Sequence, residues 1–232
     1  MKTAVVLPTY NEKDNLTKMV QEIFGLKIND LEIIIVDDNS PDGTGKLAEK
    51  LKKEDNRIHV IHRLGKLGLG TAYLEGFKLA LDKGADYIFE IDADFSHNPK
   101  RIGDFLKEIK KADLVIGSRF VKWGKNDIGF LRRLTSRMGS IYARLILGMS
   151  VSDCTGGFKC FRREVLENIN FHEIHASNYA FQIEMNYRVY KKGFRIKEIP
   201  IIFIEREKGK SKFYFKMILE SLWLVLKLRF SK

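Results

Sequence analysis

The sequence has 232 residues, of which 44% are hydrophobic and 31% are charged. This composition excludes a disordered chain, a collagen-like repeat and a disulfide-stapled scaffold, and the length suits an α/β domain with a sizeable core. The formal net charge of +11 is concentrated, because residues 119–144 carry seven basic and one acidic side chain and residues 191–232 carry twelve and four. Such segments are typical of proteins that bind nucleic acid, an anionic membrane or a phosphorylated ligand.

Short β-branched runs alternate with helical stretches through the first half of the chain. The pattern predicts strands at residues 4–7, 33–36, 59–61, 87–91 and 114–116, and helices at residues 12–24, 45–54, 70–83 and 99–110. This order predicts an α/β fold with a mostly parallel central sheet flanked by helices. The first residues lead directly into a strand, so we expect no signal peptide.

Polar sequences follow four of these predicted strands, where parallel sheets bind their ligands. They begin at Pro8 (P-T-Y-N-E), Asp37 (D-D-N-S-P-D-G-T), Asp92 (D-A-D-F-S-H) and Gly117 (G-S-R). Because the carboxyl ends of parallel strands meet at one edge of the sheet, four such sequences predict a binding site there.

The D-A-D triplet is the motif that indicates a specific chemistry most clearly. Asp92 and Asp94 place two carboxylates close together, which is costly unless a cation neutralises them. Their hard oxygen ligands suit Mg²⁺ or Mn²⁺, typically bridging a diphosphate. The alternative is that Asp94 or Ser96 only caps a helix that begins near Pro99. Two further adjacent acids, Asp37 and Asp38, exceed what a turn requires, and we expect one to accept hydrogen bonds from a nucleobase or ribose.

An ordered series of motifs extends these observations over about residues 3–212. It comprises P-T-Y-N-E, V-D-D-N-S-P-D-G-T, G-L-G-T-A-Y, D-A-D-F-S-H-N-P, G-S-R-F and D-C-T-G-G-F-K-C-F-R. The series resembles family 2 glycosyltransferases of the GT-A type, a Rossmann-like nucleotide-sugar-binding fold, and within that family it is most similar to dolichyl-phosphate (polyprenyl-phosphate) mannose synthases. The resemblance implies transfer of mannose from GDP-mannose to dolichyl or polyprenyl phosphate, with inversion at the anomeric carbon and with Mg²⁺ or Mn²⁺ as cofactor.

The same resemblance implies donor-binding residues. Those expected around the guanosine are Pro8, Tyr10, Glu12, Val36 and Asp38. Those expected at the ribose, diphosphate and metal are Asp92, Ala93, Asp94 and Ser96. Asp92, Asp94 and Ser96 are the implied metal ligands, with Asp94 the principal one. Ser96 stands where some relatives have a glutamine, and its hydroxyl is the poorer ligand.

The resemblance also implies basic residues around the phosphates. Arg119 and Arg132 match arginines near the donor and acceptor phosphates, and together with Asp94 they are the expected catalytic residues. Arg206 and Lys212 match an R-x-x-G-x-S-K element that closes over the donor diphosphate. Asp153 lies near this region, and we interpret it as orienting a loop rather than as a catalytic base, because a phosphate nucleophile is already anionic.

Two segments bear on membrane binding. Residues 129–148 predict a helix with an apolar stripe beside Arg133, Arg137 and Arg144, which suits the interface of an anionic membrane. The alternative is that the stripe packs on the core and the arginines are solvated. Residues 213–232 contain no uncharged run near the twenty or so residues of a bilayer span. We therefore assign residues 1–212 to the transferase domain and residues 213–232 to a C-terminal amphipathic helix, interfacial or partner-binding, that exposes Trp223 on its wide apolar face.

These observations together predict a cytoplasmic enzyme that associates peripherally with the membrane surface and uses GDP-mannose and a polyprenyl phosphate. The acidic binding edge and the net negative charge of residues 1–118 argue against nucleic acid as a partner. The alternatives left open are a polyprenyl-phosphate glucosyltransferase using UDP-glucose and a basic, non-catalytic protein that binds nucleic acid or membranes. A separate membrane-anchoring subunit also stays open.

Overall fold

The computed structural model describes residues 1–176, 180–205 and 215–230. Its strands are β1 (Thr3–Thr9), β2 (Leu31–Asp37), β3 (Ile58–His62), β4 (Tyr87–Glu90), β5 (Leu114–Ser118), β6 (Lys125–Asp127), β7 (Lys159–Arg162), β8 (Ile196–Pro200) and β9 (Ile202–Ile204). Seven of them form one sheet in the order β3-β2-β1-β4-β7-β5-β8, and β6 pairs with β9. The five predicted strands are confirmed, and so is the mostly parallel sheet.

The helices are α1 (Lys13–Phe24), α2 (Thr44–Glu54), α3 (Leu69–Asp82), α4 (Ile102–Glu108), α5 (Phe130–Leu147), α6 (Arg163–Glu167), α7 (Ala180–Lys191) and α8 (Phe215–Phe230). The helix predicted over residues 99–110 divides into α4 and two 3₁₀ turns, Pro99–Arg101 and Ile109–Lys111. The Asn98 side chain accepts a hydrogen bond from the Lys100 N–H and so caps the first of these turns.

The sheet is buried on both faces, as the continuous apolar runs of its strands require. In β1, Val5 and Leu7 pack with the side chains of α1, α2 and α4, whereas Ala4 and Val6 pack with those of α3. Gly76 allows α3 to approach the sheet closely, because a Cβ atom there would lie 2.3 Å from Val6 Cγ1. The two helical layers hold the strand ends in fixed positions.

Strand β7 runs against the direction of its neighbours. It pairs antiparallel with β4 and with β5, while β1–β2, β2–β3, β1–β4 and β5–β8 pair parallel. The loop that enters β7 therefore reaches the same edge at which the other strands end. This brings Asp153 and Gly157 next to the residues that follow β4 and β5, although they precede a strand rather than follow one.

The packing of α5 decides between the two predictions for its apolar stripe. Phe130, Leu134, Met138 and Leu145 are 46–70% exposed, whereas the buried residues of the helix are Ser140, Ala143 and Leu147. Most of the stripe therefore does not pack on the core, whereas the helix itself does so through Ala143 and Leu147, and Arg133, Arg137 and Arg144 are exposed, as the alternative expected. Helix α5 contacts α8, and the Tyr142 hydroxyl donates a hydrogen bond to the Leu222 carbonyl over 3.3 Å.

Helix α8 packs against α5 and α7. Its Leu224, Val225 and Leu228 side chains are buried in the same core cluster as α3 and α7, while Trp223 and Phe230 stay exposed. The C-terminal helix thus contributes to the core of the domain and also presents apolar side chains outward. Among the helices that the structure describes, none combines the length and the hydropathy needed to cross a bilayer.

Candidate active site

An acidic turn follows β4 at the carboxyl edge of the sheet. The Asp92 carboxylate accepts a hydrogen bond from the hydroxyl of the fully buried Tyr73 over 2.8 Å. The buried Asp94 carboxylate accepts one from the Ser96 N–H over 3.0 Å. Phe95, which lies between Asp94 and Ser96, has φ of +60°, a left-handed conformation that bulky residues rarely adopt. Strain of this kind persists where surrounding contacts fix a turn, and it is common at functional sites.

The turn contains two buried polar atoms that need a partner. Ser96 is 1% and His97 2% exposed, and within the described part of the chain Ser96 Oγ and His97 Nδ1 have no hydrogen-bond partner. The His97 ring packs against the rings of Phe158 and Phe203, at centroid distances of 5.5 and 5.0 Å. Burial lowers the pKa of His97 to about 4, so the imidazole is neutral at pH 7.

This donor set fits a divalent cation that keeps part of its water shell. Two carboxylates and a buried, unpaired hydroxyl are the hard oxygen ligands that Mg²⁺ and Mn²⁺ bind. Over residues 1–176, 180–205 and 215–230, no three His, Cys, Asp or Glu side chains converge as a metal cluster. The remaining ligands would therefore come from water and from a bound diphosphate rather than from a closed protein cage.

A buried ion pair lies beside the acidic turn. Arg119, which follows β5, donates two hydrogen bonds to the Asp153 carboxylate, from Nε to Oδ2 and from Nη2 to Oδ1, both 2.7 Å. The Glu198 carboxylate accepts hydrogen bonds from the N–H groups of Ser152 and Asp153 and so holds their loop. Burial alone would raise the pKa of Asp153, but the charge and hydrogen bonds of Arg119 hold it below its ordinary value. Asp153 thus fixes Arg119 at the edge of the site.

A polar chain connects this pair to α5. Arg119 Nη2 donates to Thr155 Oγ1 over 2.7 Å, and Thr155 Oγ1 lies 3.2 Å from Ser136 Oγ of α5. Arg132, in the first turn of the same helix, has its Nη1 atom 3.8 Å from Glu205 Oε1. The structure therefore places both predicted phosphate-binding arginines on this side of the site. Arg206 and Lys212 lie outside the described residues.

Residues expected around the nucleoside lie at the ends of β1 and β2. Tyr10 is half-buried, and the Lys66 ammonium lies 4.2 Å from its ring centroid. The Glu12 carboxylate accepts a hydrogen bond from the Asn15 side chain over 2.8 Å. Asp38 Oδ1 accepts one from Arg63 Nη1 over 2.6 Å, and burial raises the pKa of Asp38 against the opposing effect of Arg63.

Arg63 is a residue of this region that the sequence analysis missed. Its side chain is only 2% exposed, and it also donates to Thr71 Oγ1 and pairs with Glu75. It ties the loop after β3 to Asp38, so the Asp38 carboxylate is already engaged in an ion pair. An arginine two residues after the predicted strand at 59–61 was the signal available for finding it.

Three predicted donor-binding residues do not present side chains to the site. Val36 is fully buried, and its Cγ2 atom would lie 3.3 Å from a Cβ atom on Gly76 of α3, so its side chain belongs to the core. Pro8 and Ala93 are also buried. The side chains of these three residues therefore pack inside the protein, and their part in donor binding stays a prediction.

A buried polar network behind the acidic turn was also missed. Lys159 of β7 lies opposite Glu90 of β4, with Nζ 3.0 Å from Glu90 Oε1, and it donates to the Gln182 side-chain oxygen of α7. All three residues are at most 2% exposed. Burial raises the pKa of Glu90 and lowers that of Lys159, as expected for opposite charges removed from water.

The sequence and the fold both match known proteins. The family described as Glycosyl transferase family 2 matches residues 4–169. The chain is 42% identical over 227 residues to the polyprenol monophosphomannose synthase of Mycolicibacterium smegmatis, which covers 97% of this chain and 85% of that protein. It is 40% identical over 213 residues to the undecaprenyl-phosphate mannosyltransferase of Micrococcus luteus, with 91% and 87% coverage.

A solved structure supports the same fold. Glucosyl-3-phosphoglycerate synthase from Mycobacterium tuberculosis, in complex with Mn²⁺, UDP and glucosyl-3-phosphoglycerate, superimposes with a TM-score of 0.71. The match covers 98% of this chain and 79% of that one at 19% sequence identity. At this identity the likeness shows the shared architecture.

Proposed function

The chain belongs to the glycosyl transferase family 2, and from this membership we propose that it transfers mannose from GDP-mannose to a polyprenyl phosphate. The mannosyltransferase names of the two relatives support the sugar and the class of acceptor. The observation that carries the proposal is that the Asp92–Asp94 turn and Arg119 lie at one edge of the sheet. A cation-binding group and a fixed guanidinium together suit a donor diphosphate and an anionic acceptor.

Donor binding would use both halves of this edge. Tyr10 and the Asp38–Arg63 pair lie where the nucleoside is expected, and Asp92, Asp94 and Ser96 would hold a divalent cation. A bound Mg²⁺ or Mn²⁺ would neutralise the negative charge that develops on the leaving GDP. The protein itself contributes the rigid turn at Phe95 and the hydrogen bond from Tyr73, which orient the two carboxylates before the donor arrives.

The acceptor is a phosphate monoester, which is anionic at neutral pH. One of its oxygens would bond to C1 of the mannosyl unit as the bond from C1 to GDP breaks, with inversion at C1. This nucleophile needs positioning and charge screening more than a general base. Arg119 and Arg132 suit that task, because Asp153 fixes the first and the first turn of α5 carries the second. Arg206 and Lys212 would add positive charge to the donor diphosphate.

Helix α5 supports an anionic membrane surface as the source of the acceptor. Its exposed face, defined as Leu131, Arg133, Leu134, Arg137 and Met138, alternates apolar and cationic side chains, and the helix contains no acidic residue. Such a face suits the boundary between headgroups and acyl chains. The N-terminal end of the same helix carries Arg132, so a lipid phosphate at this face would lie beside the site.

A transfer assay tests the proposal. Purified protein is mixed with Mn²⁺ or Mg²⁺, a polyprenyl phosphate and one radiolabelled donor at a time from GDP-mannose, GDP-glucose, UDP-glucose and UDP-galactose. We expect transfer of mannose from GDP-mannose only in the presence of a divalent cation. Transfer from UDP-glucose alone would replace the mannose proposal with the glucosyltransferase alternative. Transfer from no donor would contradict the enzymatic proposal for this acceptor.

A further inference from the structure

Three polar atoms, two from the acidic turn after β4 and one from α7, converge above Gly157, just before β7. A methyl group built on Gly157 would lie 3.5 Å from Gln182 Nε2, 3.8 Å from His97 Nε2 and 3.9 Å from Asp92 Oδ2. These are ordinary van der Waals distances, so a group of methyl size fits between the three atoms. Gly157 is half-buried, whereas Gln182 and His97 are almost fully buried, so the space is partly open at Gly157 and the polar atoms beside it are held inside the protein.

The orientation of the Gln182 amide is fixed by its buried neighbour. Lys159 is an ammonium donor without acceptor capacity, so the atom of Gln182 that faces it must be the oxygen. The Nε2 group therefore points away from Lys159 and lies beside the space above Gly157, and the Gln182 amide also hydrogen-bonds to Glu90. Lys159 is in turn held by Glu90 on the adjacent strand, in direct register. Gln182 thus presents a donor of known direction, with almost no freedom to turn away.

The chemistry of this space matches a sugar hydroxyl. Asp92 supplies an acceptor and Gln182 supplies a donor, and a hydroxyl group both donates and accepts. The sugar of a nucleotide-sugar donor is bonded to the phosphate that a cation at Asp92 and Asp94 would bind, so it must lie within a few ångströms of Asp92. A site built to hydrogen-bond one hydroxyl discriminates strongly against an analogue that places it elsewhere.

We propose that Gln182 binds the sugar ring of the donor above Gly157 and discriminates between donor sugars. This inference rests on the proposed transferase function and assigns the sugar contact to a named side chain. Gln182 is a specificity-determining residue on this view, and the Lys159–Glu90 pair fixes its donor atom. Mannose and glucose differ in the configuration at C2, which is the kind of difference that a fixed amide donor is able to read.

Titration calorimetry with Mn²⁺ separates contacts to the sugar from contacts to the nucleotide. GDP and GDP-mannose are each titrated into the wild type, Gln182→Met and Gly157→Ala. The first variant removes the donor at similar volume, and the second fills the space with one methyl group. We expect unchanged affinity for GDP and a loss of affinity for GDP-mannose of about tenfold or more in both variants. Gln21→Met, on the exposed face of α1, is the matched control and should change neither.

A second readout tests discrimination. The ratio of kcat/KM for GDP-mannose to that for GDP-glucose should fall towards one in Gln182→Met and stay unchanged in Gln21→Met. Equal losses of GDP and GDP-mannose affinity would overturn the inference, because Gln182 would then act on the nucleotide or on the fold. Unchanged affinity for both ligands would overturn it as well.

Failure of the underlying proposal is visible in the wild type. If the wild type transfers glucose from UDP-glucose instead of mannose, the mannose proposal fails, and the same comparison with UDP and UDP-glucose decides the role of Gln182. If the wild type binds no nucleotide sugar, both proposals fail. Failure of the inference alone appears when the wild type binds GDP-mannose but the variants lose GDP and GDP-mannose affinity equally or lose neither.

Discussion

The Arg119 guanidinium and the Asp153 carboxylate are joined by two parallel hydrogen bonds of 2.7 Å, with Asp153 fully buried and Arg119 9% exposed. A bidentate pair of this kind fixes the orientation of the guanidinium as well as the position of its charge. A guanidinium held in this way does not have to be ordered when an anionic substrate arrives. Asp153 lies in the loop before β7, and its position therefore determines the orientation of the Arg119 guanidinium.

Replacing Asp153 by asparagine should reduce both stability and turnover. The change leaves a buried arginine without its counter-charge, which typically costs about 3–5 kcal/mol of unfolding free energy. Chemical denaturation gives the stability change, and the transfer assay gives kcat. Glu164→Gln, at an exposed position of α6, is the control for loss of one acidic charge. Stability equal to that of the wild type would contradict the structural role given to the pair.

The same pair predicts the acid sensitivity of the fold. Because Arg119 holds the pKa of Asp153 below its ordinary value, the pair contributes its full stability above about pH 4, the ordinary aspartate range. That contribution is lost as the pH falls through the lower folded-state pKa. Unfolding free energies measured between pH 2 and 7 should therefore decline more steeply for the wild type than for Asp153→Asn. Parallel curves would contradict the assignment.

The acidic turn should tolerate loss of one charge structurally but not functionally. Asp94→Asn keeps an oxygen for the Ser96 N–H and removes a carboxylate from the proposed metal site. We expect turnover to fall by at least about 100-fold, the scale of losing a principal electrostatic contributor, with little change in melting temperature. Asp82→Asn at the end of α3, exposed and away from the strand ends, should leave activity intact. Mn²⁺ binding followed by electron paramagnetic resonance shows whether the metal is lost.

Much of this site could be predicted from the sequence because its residues are close together in the chain. The first five strands are β-branched runs, and Asp92, Asp94 and Ser96 follow one of them directly. Strand β7 was missed because Lys159 interrupts its apolar pattern, and that lysine is buried only because Glu90 lies opposite it in the sheet. The hydrogen bond from Lys159 to the Gln182 side-chain oxygen depends on the same register, so no local sequence pattern reveals this contact. The burial of the Val36 side chain follows from the alternation of β2, which puts it on the same face as the core residue Ile34.

Tyr73 should affect metal binding without touching the metal. Its hydroxyl donates to Asp92 from a fully buried position on α3. Removing such an outer partner of a ligand typically weakens metal affinity by about 10–100-fold. Tyr73→Phe should therefore show a higher dissociation constant for Mn²⁺ in calorimetry, while Tyr190→Phe, partly exposed on α7, should match the wild type. If the Mn²⁺ affinity of Tyr73→Phe equals that of the wild type, either Asp92 is not a ligand or its orientation does not depend on Tyr73.

The exposed face of α5 should bind anionic vesicles through its arginines. Each cationic side chain near an anionic lipid surface contributes about 1 kcal/mol, so Arg133→Ser with Arg137→Ser should weaken binding by about tenfold or more. Vesicle co-sedimentation with a phosphatidylglycerol and phosphatidylcholine mixture measures this, and raised salt should narrow the difference because it screens the charges. The matched control is Lys46→Ser with Lys53→Ser, which removes the same net charge from exposed positions of α2. Equal weakening in both pairs would mean that binding follows total charge and would contradict α5 as the docking face.

The apolar side chains of the same face are tested separately. Leu134→Ser with Met138→Ser should weaken vesicle binding even at high salt, because apolar burial does not depend on screening. Binding that stays at the wild-type level would contradict insertion of this face.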